Sequence, residues 1–368
     1  EQAMALPASG RGAFLDGVCE GDATLRKHVE RLVAEAESET VGMLSRSPLA
    51  PADRDPKVIG PYKILKVLGE GGMGRVYEAV QESPRRSVAL KVIRSGFESS
   101  EGQRRFVREA QLLAQLKHPG IAQVYQSGVA DDEHGVQRHY LAMELVNGKP
   151  LLEHSAACGL SIDEKIELLA RVCDAVQHAH QRGVIHRDLK SPNILVEAVA
   201  GDRVGRPKVL DFGVARLTDT AGSARSLATM PGRIIGTLAY MSPEQVAGDA
   251  DAVDTRTDVY ALGVLGYELL SGKLPLAIDQ RSLPEAARII RDVEPTRLSY
   301  AEKGCRGEVE TIIAKAMEKD RERRYSGAGE LGADLRRYLR HEPIAARPPT
   351  AMYQLRKLAR RNRALVGG

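Results

Sequence analysis

A short polar stretch in the second half of the chain places the strongest constraint on what this sequence can be. Residues 186–193 read His-Arg-Asp-Leu-Lys-Ser-Pro-Asn, and an Asp-Phe-Gly triplet begins at Asp211. Phosphoryl transfer needs a carboxylate to orient the attacking hydroxyl, a cation near the transferred phosphate, and oxygen ligands for Mg²⁺. Asp188 fits the first role and Lys190 the second. The amide of Asn193 and the carboxylate of Asp211 fit the third, so the pattern indicates an Mg²⁺-dependent phosphotransferase.

A glycine-rich segment lies upstream of this stretch. Residues 69–74 read Gly-Glu-Gly-Gly-Met-Gly and separate two runs with strand-like alternation, residues 62–68 and 75–80. The same G-x-G-x-x-G pattern occurs in Rossmann sites, but there it opens a helix, whereas here a second strand follows. A Walker A loop is excluded, because Arg75 and Val76 replace its Lys and Ser/Thr. Glycines let a hairpin backbone approach phosphates closely. The glycines expected to do so are Gly69, Gly71 and Gly74.

Together these motifs resemble those of the eukaryotic-type (Hanks-type) serine/threonine protein kinases, in their bacterial branch. The resemblance covers roughly residues 60–341. It implies an α+β, two-lobed protein kinase fold with a small β-rich N-lobe, a larger helical C-lobe, and ATP bound in the cleft between them. Lys190, two residues after Asp188, matches the serine/threonine type of catalytic loop; tyrosine kinases usually carry Arg in a different local pattern.

The domain boundaries follow from this resemblance and from changes in composition. Residues 1–58 are expected to be a helical N-terminal extension and a proline-containing linker. Residues 59–146 are the expected N-lobe and residues 147–341 the expected C-lobe. Residues 342–368 are the expected basic, juxtamembrane-like tail, which begins with a short proline-containing break over residues 343–349.

The resemblance also implies how the phosphates of ATP are held. Lys91 ends an apolar run and matches the lysine that contacts the α- and β-phosphates. Its expected partner is Glu109, on a helix predicted over residues 104–117. Catalysis in this family requires this ion pair to be formed. Lys91 and Glu109 are therefore expected to belong to the catalytic machinery.

The adenine pocket is assigned by the resemblance alone. Met143 matches the gatekeeper position, and the following residues match the hinge between the lobes. The carbonyl of Glu144 and the amide of Val146 would bind the edge of adenine. The apolar residues expected around the ring are Leu68, Val76, Ala89 and Leu195.

The activation segment, residues 211–244, offers the expected regulatory site. Arg187, which precedes Asp188, is typical of kinases whose activation segment is ordered by phosphorylation, since an added phosphate can pair with arginine. Thr229, seven residues before Gly236, aligns best with the phosphothreonine of bacterial relatives. We expect autophosphorylation there, for which a homodimer is a candidate assembly.

The segment ends in Ser242-Pro-Glu, which replaces the more familiar Ala-Pro-Glu of the family. Arg324 matches the arginine that forms a salt bridge with Glu244 in relatives. Phosphotransferases of related fold that act on small molecules lack this peptide-docking segment. Protein substrates are therefore expected.

Two alternatives define the limits of this interpretation. A pseudokinase scaffold would bind nucleotide without turnover and would be expected to lack Lys91, Asp188, Asn193 or Asp211, but all four are present. Nucleic-acid binding is not indicated, because the formal net charge is only +4 over 368 residues. The four cysteines are widely separated and show no metal-type spacing, so we expect buried or free thiols in a reducing cytoplasm.

The C-terminal tail combines apolar residues at helical spacing with a cluster of basic ones. No run of about 18 apolar residues occurs in the chain. The sequence begins without Met and ends as an apolar run starts at Ala364, so we expect a fragment of a longer protein. The hypothesis is a juxtamembrane segment over residues 352–363 that tethers a cytoplasmic kinase domain to the inner membrane. The alternative is a solvated basic helix. The basic residues are Arg356, Lys357, Arg360, Arg361 and Arg363.

Overall fold

The computed structural model describes residues 55–71, 74–93, 110–212, 238–278 and 281–347. The strands in these ranges are β1 (Val58–Ile59), β2 (Tyr62–Gly71), β3 (Gly74–Gln81), β4 (Arg86–Ile93), β5 (Val124–Asp131), β6 (Gln137–Glu144), β7 (Lys149–Pro150), β8 (Ile194–Val199) and β9 (Asp202–Val209). The α-helices with described ends are α1 (Leu151–Ala157), α2 (Ile162–His180), α3 (Pro243–Ala247), α4 (Thr255–Ser271), α5 (Leu283–Asp292), α6 (Leu298–Ala301), α7 (Glu308–Ala316) and α8 (Ala328–Leu339). Residues 110–114 are also helical.

The N-lobe is a six-stranded antiparallel sheet in the order β1-β2-β3-β4-β6-β5. The sheet curls until its two edges meet, because Ile59 bridges to Asp132 just beyond β5. The carboxylate of Glu133 secures this contact by accepting the main-chain N–H groups of Lys57 and Val58 at 2.7 and 3.1 Å. One face of the curled sheet encloses a small separate core. That core is formed by Ile59, Tyr62, Tyr77, Ala79, Val88, Leu90, Val92, Tyr140 and Ala142.

Alternation along β4 decides which side chains face the nucleotide cleft. Successive residues of a strand point to opposite faces of the sheet. Val88, Leu90 and Val92 enter the small core. Ala89 and Ile93 belong to the main core on the other face, and Lys91 shares that face with them.

The C-lobe is built around two long helices. A capping box starts α2: Ser161 Oγ accepts from the N–H of Glu164, whose carboxylate accepts from the N–H of Ser161. Helix α4 is buried on nearly all sides and packs with α2, α7 and α8. The three-stranded sheet β7-β8-β9 lies at the cleft end of this lobe. The main hydrophobic core continues from the inner face of the N-lobe sheet through these helices.

The two-lobed fold predicted from sequence is confirmed, with local differences in element boundaries. The glycine-rich segment is largely strand, since β2 runs to Gly71 and β3 resumes at Gly74. Strand β5 begins only at Val124. The reason is that residues 120–122 bind the main chain of Val209, through hydrogen bonds of 2.8 and 3.0 Å.

The predicted N-terminal helix and the basic tail over residues 352–363 lie outside the described residues. In the part of the chain that is described, no helix is both long enough and apolar enough to cross a membrane.

Candidate active site

The catalytic loop connects α2 to β8 and gathers three of the predicted site residues. Lys190 Nζ lies 3.0 and 3.1 Å from the two carboxylate oxygens of Asp188. Asn193 Nδ2 donates to the main-chain oxygen of Asp188 at 2.8 Å and to its carboxylate at 3.3 Å. Because the NH₂ group of Asn193 is turned toward Asp188, its amide oxygen remains for another ligand. The side chains of Asp188, Lys190 and Asn193 are all partly buried.

Asp211, which follows β9, lies beside this cluster. The N–H of Leu210 donates to the carbonyl of Asn193 at 2.8 Å, which holds the residue before Asp211 beside the catalytic loop. Asp211 has a left-handed backbone with φ of 59°. Its carboxylate lies 2.8 Å from Lys91 Nζ, and the Lys91 side chain is only 7% exposed. Lys91 therefore reaches across the cleft to Asp211; its expected partner Glu109 lies outside the described residues.

Asn193 and Asp211 offer the chemistry of a hard-cation site. The amide oxygen of Asn193 and the carboxylate of Asp211 are ligands that Mg²⁺ accepts, usually together with phosphate oxygens and water. Among the described residues, no group of three or more His, Cys, Asp and Glu side chains could hold a metal ion. The two oxygen donors fit an ion that would complete its coordination with nucleotide phosphates and water.

A buried carboxylate that sequence reasoning did not assign holds the catalytic loop in place. Asp258, fully buried in the first turn of α4, accepts the N–H groups of His186 and Arg187 at 2.8 and 2.9 Å. It also accepts from His180 Nε2 at 2.7 Å. Burial raises the pKa of Asp258, but these hydrogen bonds lower it more, so the net pKa lies below its ordinary value. The sequence signal that could have indicated Asp258 is an acidic residue within a strongly apolar helix.

His186 couples the loop to the Asp-Phe-Gly segment. Its Nδ1 accepts the N–H of Asp188 at 3.3 Å, and its Nε2 lies 2.8 Å from the carbonyl of Leu210. A carbonyl only accepts, so the ring proton is on Nε2. The His186 ring packs against the buried ring of Phe212, with 4.7 Å between centroids. Asp188 and the residue before Asp211 are thus held by the same imidazole.

The glycine-rich hairpin has one glycine required by packing and two that are not. A Cβ on Gly74, which has φ of +149°, would lie 1.9 Å from the carbonyl oxygen of Val92. A Cβ on Gly69 or Gly71 would meet nothing within 4 Å among the described residues. The open space beside Gly69 and Gly71 fits the close approach of a phosphate chain to the backbone.

The side chains predicted for the adenine pocket lie on five strands, β2, β3, β4, β6 and β8. Met143 of β6 pairs with Ala89 of β4, and Val76 of β3 pairs with Lys91. Leu195 enters from β8 in the C-lobe. Leu68 is 45% exposed at a bulge of β2.

The side chain of Glu144 is committed to a contact between the two lobes. Its carboxylate lies 2.6 Å from Nζ of Lys208 in β9 and accepts the N–H of Gln123 at 3.1 Å. The contact of the Glu144 carbonyl with adenine stays a prediction.

The Ser242-Pro-Glu segment forms the start of α3 and is anchored in the C-lobe. Arg324 donates to both oxygens of Glu244, at 2.7 and 2.8 Å, and Thr257 Oγ1 adds a hydrogen bond at 2.9 Å. Both Glu244 and Arg324 are buried. The predicted Arg324–Glu244 salt bridge is therefore present. Thr229, the expected phosphorylation site, lies outside the described residues.

Comparison with known proteins places these motifs in a family. Residues 62–340 match the family model of the protein kinase domain. Serine/threonine-protein kinase PknB of Mycobacterium tuberculosis is 37% identical over 287 residues, which cover 77% of this chain and 44% of that protein. Serine/threonine-protein kinase PrkC of Bacillus subtilis is 36% identical over 282 residues, 76% of this chain and 41% of that protein. The matched region thus spans less than half the length of these relatives.

Solved structures show the same fold. The crystal structure of the M. tuberculosis PknI kinase domain aligns with a TM-score of 0.58, covering 78% of this chain and 99% of that chain at 24% identity. At this identity the likeness concerns the fold, while the motifs and the family match concern the chemistry. The chain belongs to the protein kinase domain family, in its bacterial eukaryotic-type (Hanks-type) serine/threonine branch.

Proposed function

We propose that this chain is an ATP-dependent serine/threonine protein kinase that transfers the γ-phosphate of Mg·ATP to hydroxyl groups of proteins. The observation that carries the proposal is the convergence of Asp188, Lys190, Asn193 and Asp211 at one end of the cleft. Family membership implies ATP and a divalent ion, and the oxygen-only donor pair favours Mg²⁺.

Each of these side chains has a distinct task in the proposed reaction. Asp188 accepts a hydrogen bond, and then the proton, from the substrate hydroxyl. Lys190, 3.0 Å from that carboxylate, supplies positive charge beside the transferred group. Asn193 and Asp211 would hold the divalent ion, which supplies charge neutralisation on the phosphates when bound. Lys91 would contact the α- and β-phosphates from β4.

The nucleotide would be held by main-chain groups and by the apolar strands around the cleft. The carbonyl of Glu144 and the amide of Val146 would meet the adenine edge. The backbone of Gly69 and Gly71 would approach the phosphates, as the open space there permits. Leu68, Val76, Ala89 and Leu195 would border the ring, with Met143 at its inner end.

Protein substrates suit the site better than small molecules. The buried Glu244–Arg324 pair fixes the Ser242-Pro-Glu segment to the C-lobe. The segment would then supply a fixed platform beside Asp188 for an extended peptide. The pseudokinase alternative is not favoured, since all four residues whose loss would mark it are present.

Regulation by phosphorylation is a further part of the proposal. Thr229 is the proposed autophosphorylation site, with a homodimer of the chain as the assembly in which one copy phosphorylates another. The Lys91–Glu109 pair would form in the active state and release Lys91 from its contact with Asp211.

A membrane-surface role is proposed for the basic tail. Each Lys or Arg near an anionic surface contributes about 1 kcal/mol of attraction. Residues 352–363 should therefore bind vesicles containing phosphatidylserine at low salt, and this binding should disappear at high salt. Neutral vesicles are the control. Equal binding to both vesicle types would contradict the juxtamembrane role.

Incubation of the chain with Mg·ATP and an acceptor protein, followed by phosphosite mapping by mass spectrometry, tests the activity. We expect phosphoserine and phosphothreonine on the acceptor and on Thr229 of the chain itself. Replacement of Mg²⁺ by excess chelator should remove both signals. Nucleotide binding without any phosphate transfer would favour the pseudokinase scaffold instead.

A further inference from the structure

The residue before the proposed base has an unusual backbone conformation. Arg187 has φ of 66°, in the left-handed region that side chains other than glycine rarely adopt. Such conformations persist only where surrounding contacts hold them, at a cost of roughly 1–3 kcal/mol each. Because Asp188 follows directly, the orientation of its carboxylate depends on how firmly the peptide of Arg187 is held.

One side of this peptide is held by α4, as described above. The N–H of Arg187 donates to Asp258 at 2.9 Å, and the N–H of His186 donates to the same carboxylate. These bonds fix the chain entering Arg187. In the next peptide, between Arg187 and Asp188, the N–H donates to His186 Nδ1 at 3.3 Å, and a contact to its carbonyl would hold it from the other side.

Gln245 supplies such a contact. Its Nε2 donates to the carbonyl oxygen of Arg187 at 2.8 Å, across 58 positions of sequence. The orientation of the amide is settled by its two partners. Oε1 accepts the N–H of Ser242 at 3.0 Å, and an N–H can only donate. Nε2 must then face the Arg187 carbonyl, which can only accept.

The other end of this link is rigid. Gln245 is the third residue of α3 and closes a capping box with Ser242, whose Oγ accepts the N–H of Gln245. The adjacent Glu244 is locked by Arg324 and Thr257 in the interior of the C-lobe. The Gln245 amide is therefore presented to the catalytic loop from a fixed point.

We infer that Gln245 is a positioning residue for the catalytic base, acting through the carbonyl of Arg187. It connects the segment on which a peptide substrate would dock to the peptide bond that orients Asp188. This inference rests on the proposed kinase function and adds a residue to its machinery. Gln245 is not among the residues proposed to contact nucleotide or the reacting hydroxyl; its contribution is geometric.

The substitution Gln245→Glu separates this role from helix capping. Glutamate keeps the acceptor that caps α3, since capping boxes use Glu and Gln alike. It lacks the NH₂ donor, and its charge would repel the Arg187 carbonyl. The matched control is Glu164→Gln in the capping box of α2, which exchanges the same two residue types where the side chain bonds Ser161.

Steady-state kinetics on the full chain, with Mg·ATP and myelin basic protein as acceptor, give the readout. For Gln245→Glu we expect kcat to fall about tenfold or more, because small misplacements of catalytic groups are costly. The KM for ATP should stay within about twofold and the Tm within about 2 °C. Glu164→Gln should match the wild type in all three values.

Hydrogen exchange of the catalytic-loop peptide shows whether a lower kcat comes from a loosened catalytic loop. Exchange over residues 186–193 should be faster in Gln245→Glu than in the wild type or in Glu164→Gln. If Gln245→Glu does not fold, kinetics and hydrogen exchange are measured instead on Gln245→Met, whose side chain is neutral and similar in size. Wild-type kcat, or unchanged loop exchange in a variant with low kcat, would overturn the positioning role. An inactive wild-type chain would remove the proposed activity and this inference together.

Discussion

Asp258 shows how one residue can order an entire active site without touching substrate. Its carboxylate gathers three donors, two from the catalytic-loop backbone and one from His180. His180 Nδ1 is buried without a hydrogen-bond partner in the described structure. A proton there would be unsatisfied, so Nε2 carries the proton and donates it to Asp258.

Replacement of Asp258 by Asn should destabilise the fold. The amide offers one acceptor atom where the carboxylate had two, and its NH₂ group would face one of the three donors. Leaving buried donors unsatisfied costs about 1–3 kcal/mol each. We expect the free energy of unfolding in urea to fall by about 2–4 kcal/mol. Asp163→Asn, at an exposed position in α2, should change it by less than about 0.5 kcal/mol. Equal values for both variants would contradict the anchoring role.

At the scale of single elements, the glycine-rich hairpin contains one glycine that packing requires and two that it does not. The sequence pattern treats Gly69, Gly71 and Gly74 alike. The structure distinguishes them, because only Gly74 combines a positive φ with a neighbouring backbone atom in the space of a Cβ. Which glycine is structural depends on how β3 packs beside β4, and that packing is not encoded in the local spacing.

Two alanine substitutions test this distinction. Gly74→Ala should lower the free energy of unfolding by about 2 kcal/mol or more, because the Cβ would collide with the Val92 carbonyl. Gly71→Ala should leave stability within about 0.5 kcal/mol. It should instead raise the KM for ATP severalfold, because the Cβ intrudes on the approach of the phosphates. The hairpin assignment would be wrong if Gly71→Ala left the KM unchanged, or if Gly74→Ala were as stable as the wild type.

At the scale of the whole molecule, the buried Glu244–Arg324 pair links the end of the activation segment to the C-lobe. Burial raises the pKa of the Glu244 carboxyl, but hydrogen bonding and charge from Arg324 lower it more. The net pKa lies below its ordinary value of 4.5. The folded state then binds fewer protons than the unfolded state near this pH. The stabilisation is complete above the unfolded-state pKa and is lost as the pH falls through the folded-state pKa.

The stability that the wild type holds over a variant lacking the Glu244 carboxylate should therefore be constant above about pH 6 and decrease below about pH 4.5. Glu244→Gln should be less stable at neutral pH by about 3–5 kcal/mol, because Arg324 would be left buried without its counter-charge. Its acid dependence should also be shallower. Glu285→Gln, which breaks the exposed Arg281–Glu285 pair, should cost less than about 1 kcal/mol. Parallel acid limbs for wild type and Glu244→Gln would contradict this account.

The sequence predicted the parts of this molecule that depend on local pattern. The glycine-rich hairpin follows from alternation and turn residues, and the motifs indicated Asp188, Asn193 and Asp211 as candidate site residues. What it left open depends on contacts between distant residues. Closure of the N-lobe sheet by Ile59 and Asp132, and the link from Gln245 to Arg187, join positions more than 50 residues apart. No spacing rule specifies such pairs, because they arise only when separate elements pack.

Phosphate transfer by wild type and Asp188→Asn, measured together with their affinity for Mg·ATP, tests the central claim most directly. If Asp188 orients the substrate hydroxyl and takes its proton, the substitution should lower the transfer rate by about 10²–10⁴-fold. Nucleotide affinity should remain within about twofold of the wild type, since Asp188 is not among the proposed nucleotide ligands. A wild type that transfers no phosphate, or an Asp188→Asn variant that transfers it at nearly the wild-type rate, would contradict the account.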